Sequence, residues 1–232
     1  MQRSRGGADV LCMKSSLANA KSYLVLDRQV KDYDQLFEIL KESVKGGIDL
    51  VQLRDKTGTS RAILEFSRRA LQYLRKRIPF IINDRVDLAF AARADGVHLG
   101  QDDLSIQTAR KILGERAVIG ISCQTIPQAI QAQKMGADYI GFGSVFKTLT
   151  KPDRREMDLN ILAQVISKIK IPVFAIGGID AQNIGILRRA GVQRVALTRA
   201  ICLADDIQKI IAHLQKVLES KESVTPEFQT TN

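Results

Sequence analysis

The chain switches eight times between a short run of β-forming residues and a longer amphipathic stretch, and this count limits its fold more than any other property of the sequence. The runs are SYLVL (22–26), DLVQLR (49–54), PFIIND (79–84), GVHLG (96–100), VIGIS (118–122), YIGFGS (139–144), PVFAIGG (172–178) and RVALT (194–198). Between them apolar residues recur at helical spacing, most clearly at Ile207, Ile210, Ile211, Leu214, Val217 and Leu218. The junctions repeat as well: GGIDLVQL, RADGVHL, MGADYIGF and AGVQRVAL each read as a helix end running into a strand. Gly46 or Gly47, Gly114, Gly136 and Gly191 suit the left-handed residue that closes a helix. Eight strands alternating with helices predict a single-domain α/β fold, a closed (β/α)8 TIM barrel over residues 21–219, with a doubly wound open sheet as the alternative.

At 232 residues the chain is long enough to bury a full core. No apolar run approaches the ~20 residues of a membrane span, and the first residues lack the apolar stretch of a signal peptide. Residues 1–20 are expected to be a disordered leader, 220–232 a frayed polar tail, and the cytoplasm the location. Cys12, Cys123 and Cys202 are widely spaced and form no metal or disulfide pattern, and His98 and His213 are the only histidines. A net charge of +10 invites nucleic acid, but aromatics are only 5%, tryptophan is absent and the cations are scattered, which fits anionic small molecules better. The expected partners are therefore phosphorylated small molecules, with no nucleic acid and no membrane; a homo-oligomer is compatible with the sequence.

In such a barrel the chemistry gathers at the carboxyl ends of the strands. Those positions hold Arg54–Asp55–Lys56, Asn83–Asp84, Gln101–Asp102–Asp103, Ser122, Thr148–Leu149–Thr150–Lys151, Gly177–Gly178 and Thr198–Arg199. Asp84 and Asp103 suit a hard cation such as Mg²⁺, against a bland role as helix caps. Arg54, Lys56, Lys151 and Ser122 suit a diphosphate, against salt bridges of the cations with Asp55 or Asp153. The IGGI and LTRAI turns offer backbone N–H groups to a phosphate, against a simple tight turn. The stretch VFKTLTKPDRR (145–155) sets hydroxyls and cations at the sixth strand's end with little carboxylate to balance them. His98 reads as a hydrogen-bonded core residue facing either the interior or the helices, His213 as a helix-surface residue, and Cys123 as no nucleophile. A site with metal ligands and anion binders but no acid–base pair favours chemistry driven by a leaving diphosphate.

The ordered motifs VQLRDK, INDRVDLA, ADGVHLGQDD, GIS, ADYIGFGSVFKTLTK and AIGGI make the chain similar to the thiamine phosphate synthase family across residues 22–217. The resemblance implies a transferase that joins 4-amino-5-hydroxymethyl-2-methylpyrimidine diphosphate to a thiazole phosphate and releases diphosphate. It implies that Gln52, Arg54, Asp55, Lys56, Asn83, Ser122 and Lys151 contact the pyrimidine diphosphate, with Arg54, Ser122 and Lys151 acting in catalysis. Asp84 and Asp103 would hold Mg²⁺, and Thr148, Thr150, Gly178, Thr198 and Arg199 would hold the thiazole phosphate. The implied mechanism is dissociative, with cations and metal stabilising charge on the leaving group. The chain departs from the family at Gln124, where a histidine is common, at Lys147, where a proline is common, in the PDRREMDL stretch, and at Arg199, where a serine is common. Rival readings are the sister thiazole tautomerases, which depend on the histidine that Gln124 replaces, a non-catalytic protein that binds thiamine precursors, and a nucleic-acid binder.

Overall fold

The structure, a computed structural model, describes residue 14 and residues 16–147 and 157–220. Eight parallel strands close into a barrel in sequence order: β1 (Ser22–Asp27), β2 (Leu50–Arg54), β3 (Phe80–Asn83), β4 (Gly96–Leu99), β5 (Val118–Cys123), β6 (Tyr139–Phe142), β7 (Val173–Ile176) and β8 (Val195–Leu197), which pairs back onto β1. The expected runs match these strands to within two residues at each end. Around them lie α1 (Tyr33–Lys45), α2 (Ser60–Leu74), α3 (Val86–Ala92), α4 (Ile106–Leu113), α5 (Ile126–Lys134), α6 (Leu159–Lys168), α7 (Ile184–Arg189), the short α8 (Arg199–Cys202) and α9 (Ile207–Glu219). Local chemistry starts the longer helices. Asp32 and Gln35 form a reciprocal cap on α1, and Thr125 and Gln128 form another on α5. Gly136 and Gly191 end their helices at φ +87°, a backbone conformation in which a side chain would be strained.

Strand residues alternate between two cores. Leu24, Leu26, Val51, Leu53, Phe80, Ile82, Val97, Leu99, Ile119 and Phe142 face the helices. Tyr23, Leu50, Ile81, Val118, Tyr139, Phe174 and Ala196 fill the lower barrel interior. Two interior rings are large, so neighbouring positions are empty of side chain. A Cβ on Gly120 would lie 2.1 Å from Cζ of Tyr139, and one on Gly141 would lie 3.2 Å from Cε1 of His98.

The repeated junctions have a purpose at the amino-terminal end of the barrel. Asp49, immediately before β2, accepts hydrogen bonds from the Lys21 and Ser22 backbone N–H groups (2.9 Å each) and from the Ser22 hydroxyl (2.7 Å). Asp95, before β4, accepts from Phe80 N–H (2.9 Å), and Asp138, before β6, accepts from Ile119 N–H (2.8 Å) and from Arg110 (2.7 Å). Each aspartate thus satisfies donors at or next to the start of the preceding strand. Asp49→Ala is expected to cost about 2–3 kcal/mol for the donors it strands. The urea midpoint should fall with an unchanged slope; an unaltered midpoint would show that the latch is unimportant.

The described residues reach into the stretch expected as a leader. Residues 16–19 are helical, and Leu17 and Ala20 sit in the same interior cluster as Tyr23 and Leu50. Arg194 donates to Ala18 C=O (2.8 Å), and Lys14 pairs with Asp138 (2.9 Å). The apolar pair closes the open end of the barrel, so folded structure begins before residue 20. At the other end Ser220 still takes part, its C=O accepting from Arg188 (2.7 Å). Among the described residues no helix is long and apolar enough to cross a membrane.

Candidate active site at the carboxyl end of the barrel

A cavity of about 370 Å³ opens where the strands end, lined by residues from all eight of them and by their loops. Parity decides which residues reach it. The inward-facing rows that fill the lower interior with apolar rings continue upward into Asp27, Gln52, Arg54, Asn83, His98 and Ser122. Gly177, Gly178, Thr198 and Arg199 complete the wall from β7 and β8, and Lys147 from the loop after β6. Seven of the site residues read from the sequence therefore lie on one cavity: Gln52, Arg54, Asn83, Ser122, Gly178, Thr198 and Arg199.

Arg54 is fixed by a residue outside that expected set. Asp27, at the end of β1 and fully buried, accepts from its guanidinium at 2.7 Å, and Gln29 adds a contact at 3.2 Å. Asp27 also accepts from Gln29 N–H at 3.0 Å. The pair holds a cation against the cavity wall with little freedom to move, as recognition of a phosphate requires.

Gly178 belongs to a close approach. Its φ is +66°, and a Cβ there would lie 2.5 Å from Lys147 C=O and 2.8 Å from Cβ of Phe146. Phe146 N–H donates to Gly177 C=O (2.9 Å) and Val145 N–H to Ile176 C=O (3.0 Å), so the start of the β6 loop is pressed onto the β7 turn. Met157 N–H returns to Val145 C=O (3.1 Å). Thr148, Thr150 and Lys151, which the sequence singled out, lie outside the described residues.

Lys56, Asp84 and Asp103 form a cluster on the rim. The Lys56 ammonium pairs with the Asp84 carboxylate, and Asp103 lies within hydrogen-bonding reach of the same group. Asp103 is oriented by Gly100 N–H (2.7 Å). Asp84 follows inward-facing Asn83, takes φ +58°, and donates its N–H to His98 C=O (2.8 Å), which turns its side chain from the interior to the rim. Burial raises the Asp84 carboxyl above its usual range, helped by Asp103 and opposed by Lys56. Asp55 is turned into its own loop. It accepts from the Tyr33 hydroxyl (2.6 Å) and from the Thr57 and Gly58 N–H groups (2.9 and 2.7 Å). Burial opposes its charge, but these donors outweigh it and hold the carboxyl below the usual value. Its observed partners shape the β2–α2 loop.

The interior below the cavity contains a network the sequence reading did not find. Gln52 contacts the Tyr23 hydroxyl, which lies 2.7 Å from the Tyr139 hydroxyl. Tyr139 lies 3.0 Å from Nδ1 of His98, and Nε2 of His98 lies 2.9 Å from Oγ of Ser122. His98 thus faces the interior and is the partner of Ser122. The available signal was parity: His98 registers with Asn83 on one side and with Gly120 on the other, all on inward rows. Cys123 is buried and its thiol pushed up to about 12 by desolvation, which leaves it no nucleophile. Gln124 is exposed, with its N–H held by the Gln128 side chain (2.8 Å). His213 lies exposed on α9, as expected.

A family model described as thiamine monophosphate synthase matches residues 22–201. The thiamine-phosphate synthase of Clostridium novyi is 44% identical over 192 residues, covering 82% of this chain and 94% of that protein. The thiamine-phosphate synthase of Ruminiclostridium cellulolyticum is 39% identical over 203 residues, covering 86% and 95%. Among solved structures, the thiamine phosphate pyrophosphorylase of Pyrococcus furiosus superposes with a TM-score of 0.78 at 36% identity, covering 89% of this chain and 97% of that one.

Proposed function

The chain belongs to the thiamine monophosphate synthase family and is an enzyme of thiamine biosynthesis, and from that premise we propose that it joins 4-amino-5-hydroxymethyl-2-methylpyrimidine diphosphate to a thiazole phosphate. The observation that carries this reading is that one cavity is walled on one side by Arg54, Asn83 and Ser122 and on the other by Gly178, Thr198 and Arg199. Two anionic substrates need two such walls. They must also lie close enough for a carbon on one substrate to meet a nitrogen on the other.

In the proposed reaction the bond between the pyrimidinylmethyl carbon and the diphosphate oxygen breaks, and its electron pair leaves with the diphosphate. The ring nitrogen of the thiazole then donates its lone pair to the methylene carbon. No proton moves in these two steps, which suits a cavity whose carboxylates Asp27 and Asp180 are engaged by Arg54 and by the Gln182 and Asn183 N–H groups. Arg54, locked by Asp27, and Ser122 act on the charge that grows on the departing diphosphate, the point where fixed donors lower a barrier most. Lys56 and Lys151 are assigned to the same group. Thr148, Thr150, Gly178, Thr198 and Arg199 are assigned to the thiazole phosphate, and Gln52 and Asn83 to the pyrimidine substrate. For Asp55 the proposed contribution is the shape of the loop that carries Lys56.

The rim cluster fits Mg²⁺. Two carboxylates converge there, and the cation position is taken by the Lys56 ammonium, a stand-in charge. Among the described residues no group of three or more His, Cys, Asp or Glu side chains gathers. A cation held by Asp84 and Asp103 would complete its shell with water and substrate phosphate oxygens, the habit of Mg²⁺. Bound there, it would supply positive charge to the leaving diphosphate.

The test is product formation from the two substrates with and without Mg²⁺, read as thiochrome fluorescence after oxidation. Metal-dependent product is expected. Folded protein that makes none under these conditions would overturn the proposal.

A further inference from the structure

The polar side chains at the floor of the cavity form a chain, and its donor direction is decided at the Gln52 end. The Gln52 amide nitrogen can only donate, so the Tyr23 oxygen accepts from it. Both phenols keep their protons, because burial pushes each well above the usual tyrosine range. Tyr23, having accepted, has one proton to give, and Tyr139 lies 2.7 Å away. Tyr139 then turns its own proton toward Nδ1 of His98 at 3.0 Å. A neutral imidazole that accepts at Nδ1 carries its hydrogen on Nε2, and that hydrogen meets Oγ of Ser122 at 2.9 Å. Ser122 is held from behind as well, since its C=O accepts from Gln101 at 2.6 Å. Having accepted from His98, the serine hydroxyl can direct its own proton only away from the imidazole, toward the cavity that it lines.

We propose that Gln52, Tyr23 and Tyr139 are positioning residues whose hydrogen-bond direction selects the Nε2–H tautomer of His98 and thereby makes Ser122 an obligate donor into the cavity. Gln52, Tyr23, Tyr139 and His98 are all buried, and their polar atoms are turned toward one another. What Ser122 donates to rests on the reading of the cavity as a diphosphate site; the direction of the chain does not. A donor there meets the acceptor-only oxygens of a diphosphate. The reverse direction would present a lone pair to an anion.

The chain contains two histidines, so the tautomer can be read directly. The nitrogen shifts of ¹⁵N-histidine-labelled protein should be recorded at about two pH units above the ordinary histidine value, with His213→Gln used to assign His98. The wild type should show hydrogen on Nε2. Gln52→Glu places an acceptor at the chain's origin, and His98 should switch to Nδ1–H. Tyr139→Phe cuts the chain without adding charge. It should release the preference to a mixture of tautomers and weaken binding of inorganic diphosphate with Mg²⁺ about tenfold. Hydrogen on Nδ1 in the wild type, or an Nε2–H form that persists in both variants, would overturn the inference. If Gln52→Glu does not fold, the wild type and Tyr139→Phe decide the question alone. A wild type with Nε2–H that binds no diphosphate would support the inference while removing the functional reading.

Discussion

Asp84→Asn should lower turnover by about 10²–10³-fold, the scale seen when one preorganised charge-stabilising group is removed, and should abolish the rise in rate with Mg²⁺. Asparagine is the informative substitution because of the backbone. Asp84 sits at φ +58°, a region that asparagine tolerates and that alanine enters only under strain. Loss of activity in Asp84→Asn therefore reports the missing charge rather than a displaced loop. The variant also leaves Lys56 without its present carboxylate partner. Calorimetric titration with Mg²⁺ and inorganic diphosphate separates the two effects, because loss of the metal site weakens Mg²⁺ binding, whereas relocation of Lys56 alone does not. A variant whose product formation still climbs with Mg²⁺ would remove Asp84 from the metal site.

Asp27→Ala should be strongly destabilising. It leaves the mostly buried Arg54 guanidinium without its carboxylate, and removing one member of a buried pair costs about 3–5 kcal/mol. For a chain of this size the melting temperature should fall by about 6–20 °C. Turnover should fall with it, since Arg54 would lose its fixed position on the cavity wall. Asp27→Asn keeps one oxygen, which can accept from the Arg54 guanidinium while its amide NH2 faces Gln29 N–H, so it should recover only part of both losses. A melting temperature for Asp27→Ala within about 2 °C of wild type would show that the pair contributes little.

The barrel was legible because its pattern is local. Strand period, helix spacing and closing glycines all lie within a few residues of one another, and each repeats. The strand-end polar residues were legible for the same reason, and Arg54, Asn83, Ser122 and Thr198 needed only a position along a strand. Pairings across the barrel have no such signal. Tyr23 and Tyr139 meet although 116 residues separate them, and as strand aromatics they read as ordinary core. Lys56 had a nearby carboxylate in Asp55, but Asp55 is engaged by Tyr33 and its own loop, and Lys56 reaches Asp84 instead. Asp27 could have been found. It ends the first strand, and the rule that drew attention to seven strand ends applies to the eighth without change.

The aspartates before β2, β4 and β6 imply an unequal seam. Each joins a strand to its predecessor, so β1–β2, β3–β4 and β5–β6 are fastened as pairs by a carboxylate. In the fourth repeat Arg194 stands in that position and reaches across to Ala18 instead. The β7–β8 ladder, registered only at Ala175–Val195 and Ile176–Ala196, thus borrows its fastening from the turn that precedes β1. The ring behaves as three self-clasped staves and one held shut by the other end of the chain. Transient opening should begin at that fourth stave, next to the Gly178 and Thr198 wall. The side of the pocket that breathes most easily is then the one assigned to the incoming thiazole phosphate.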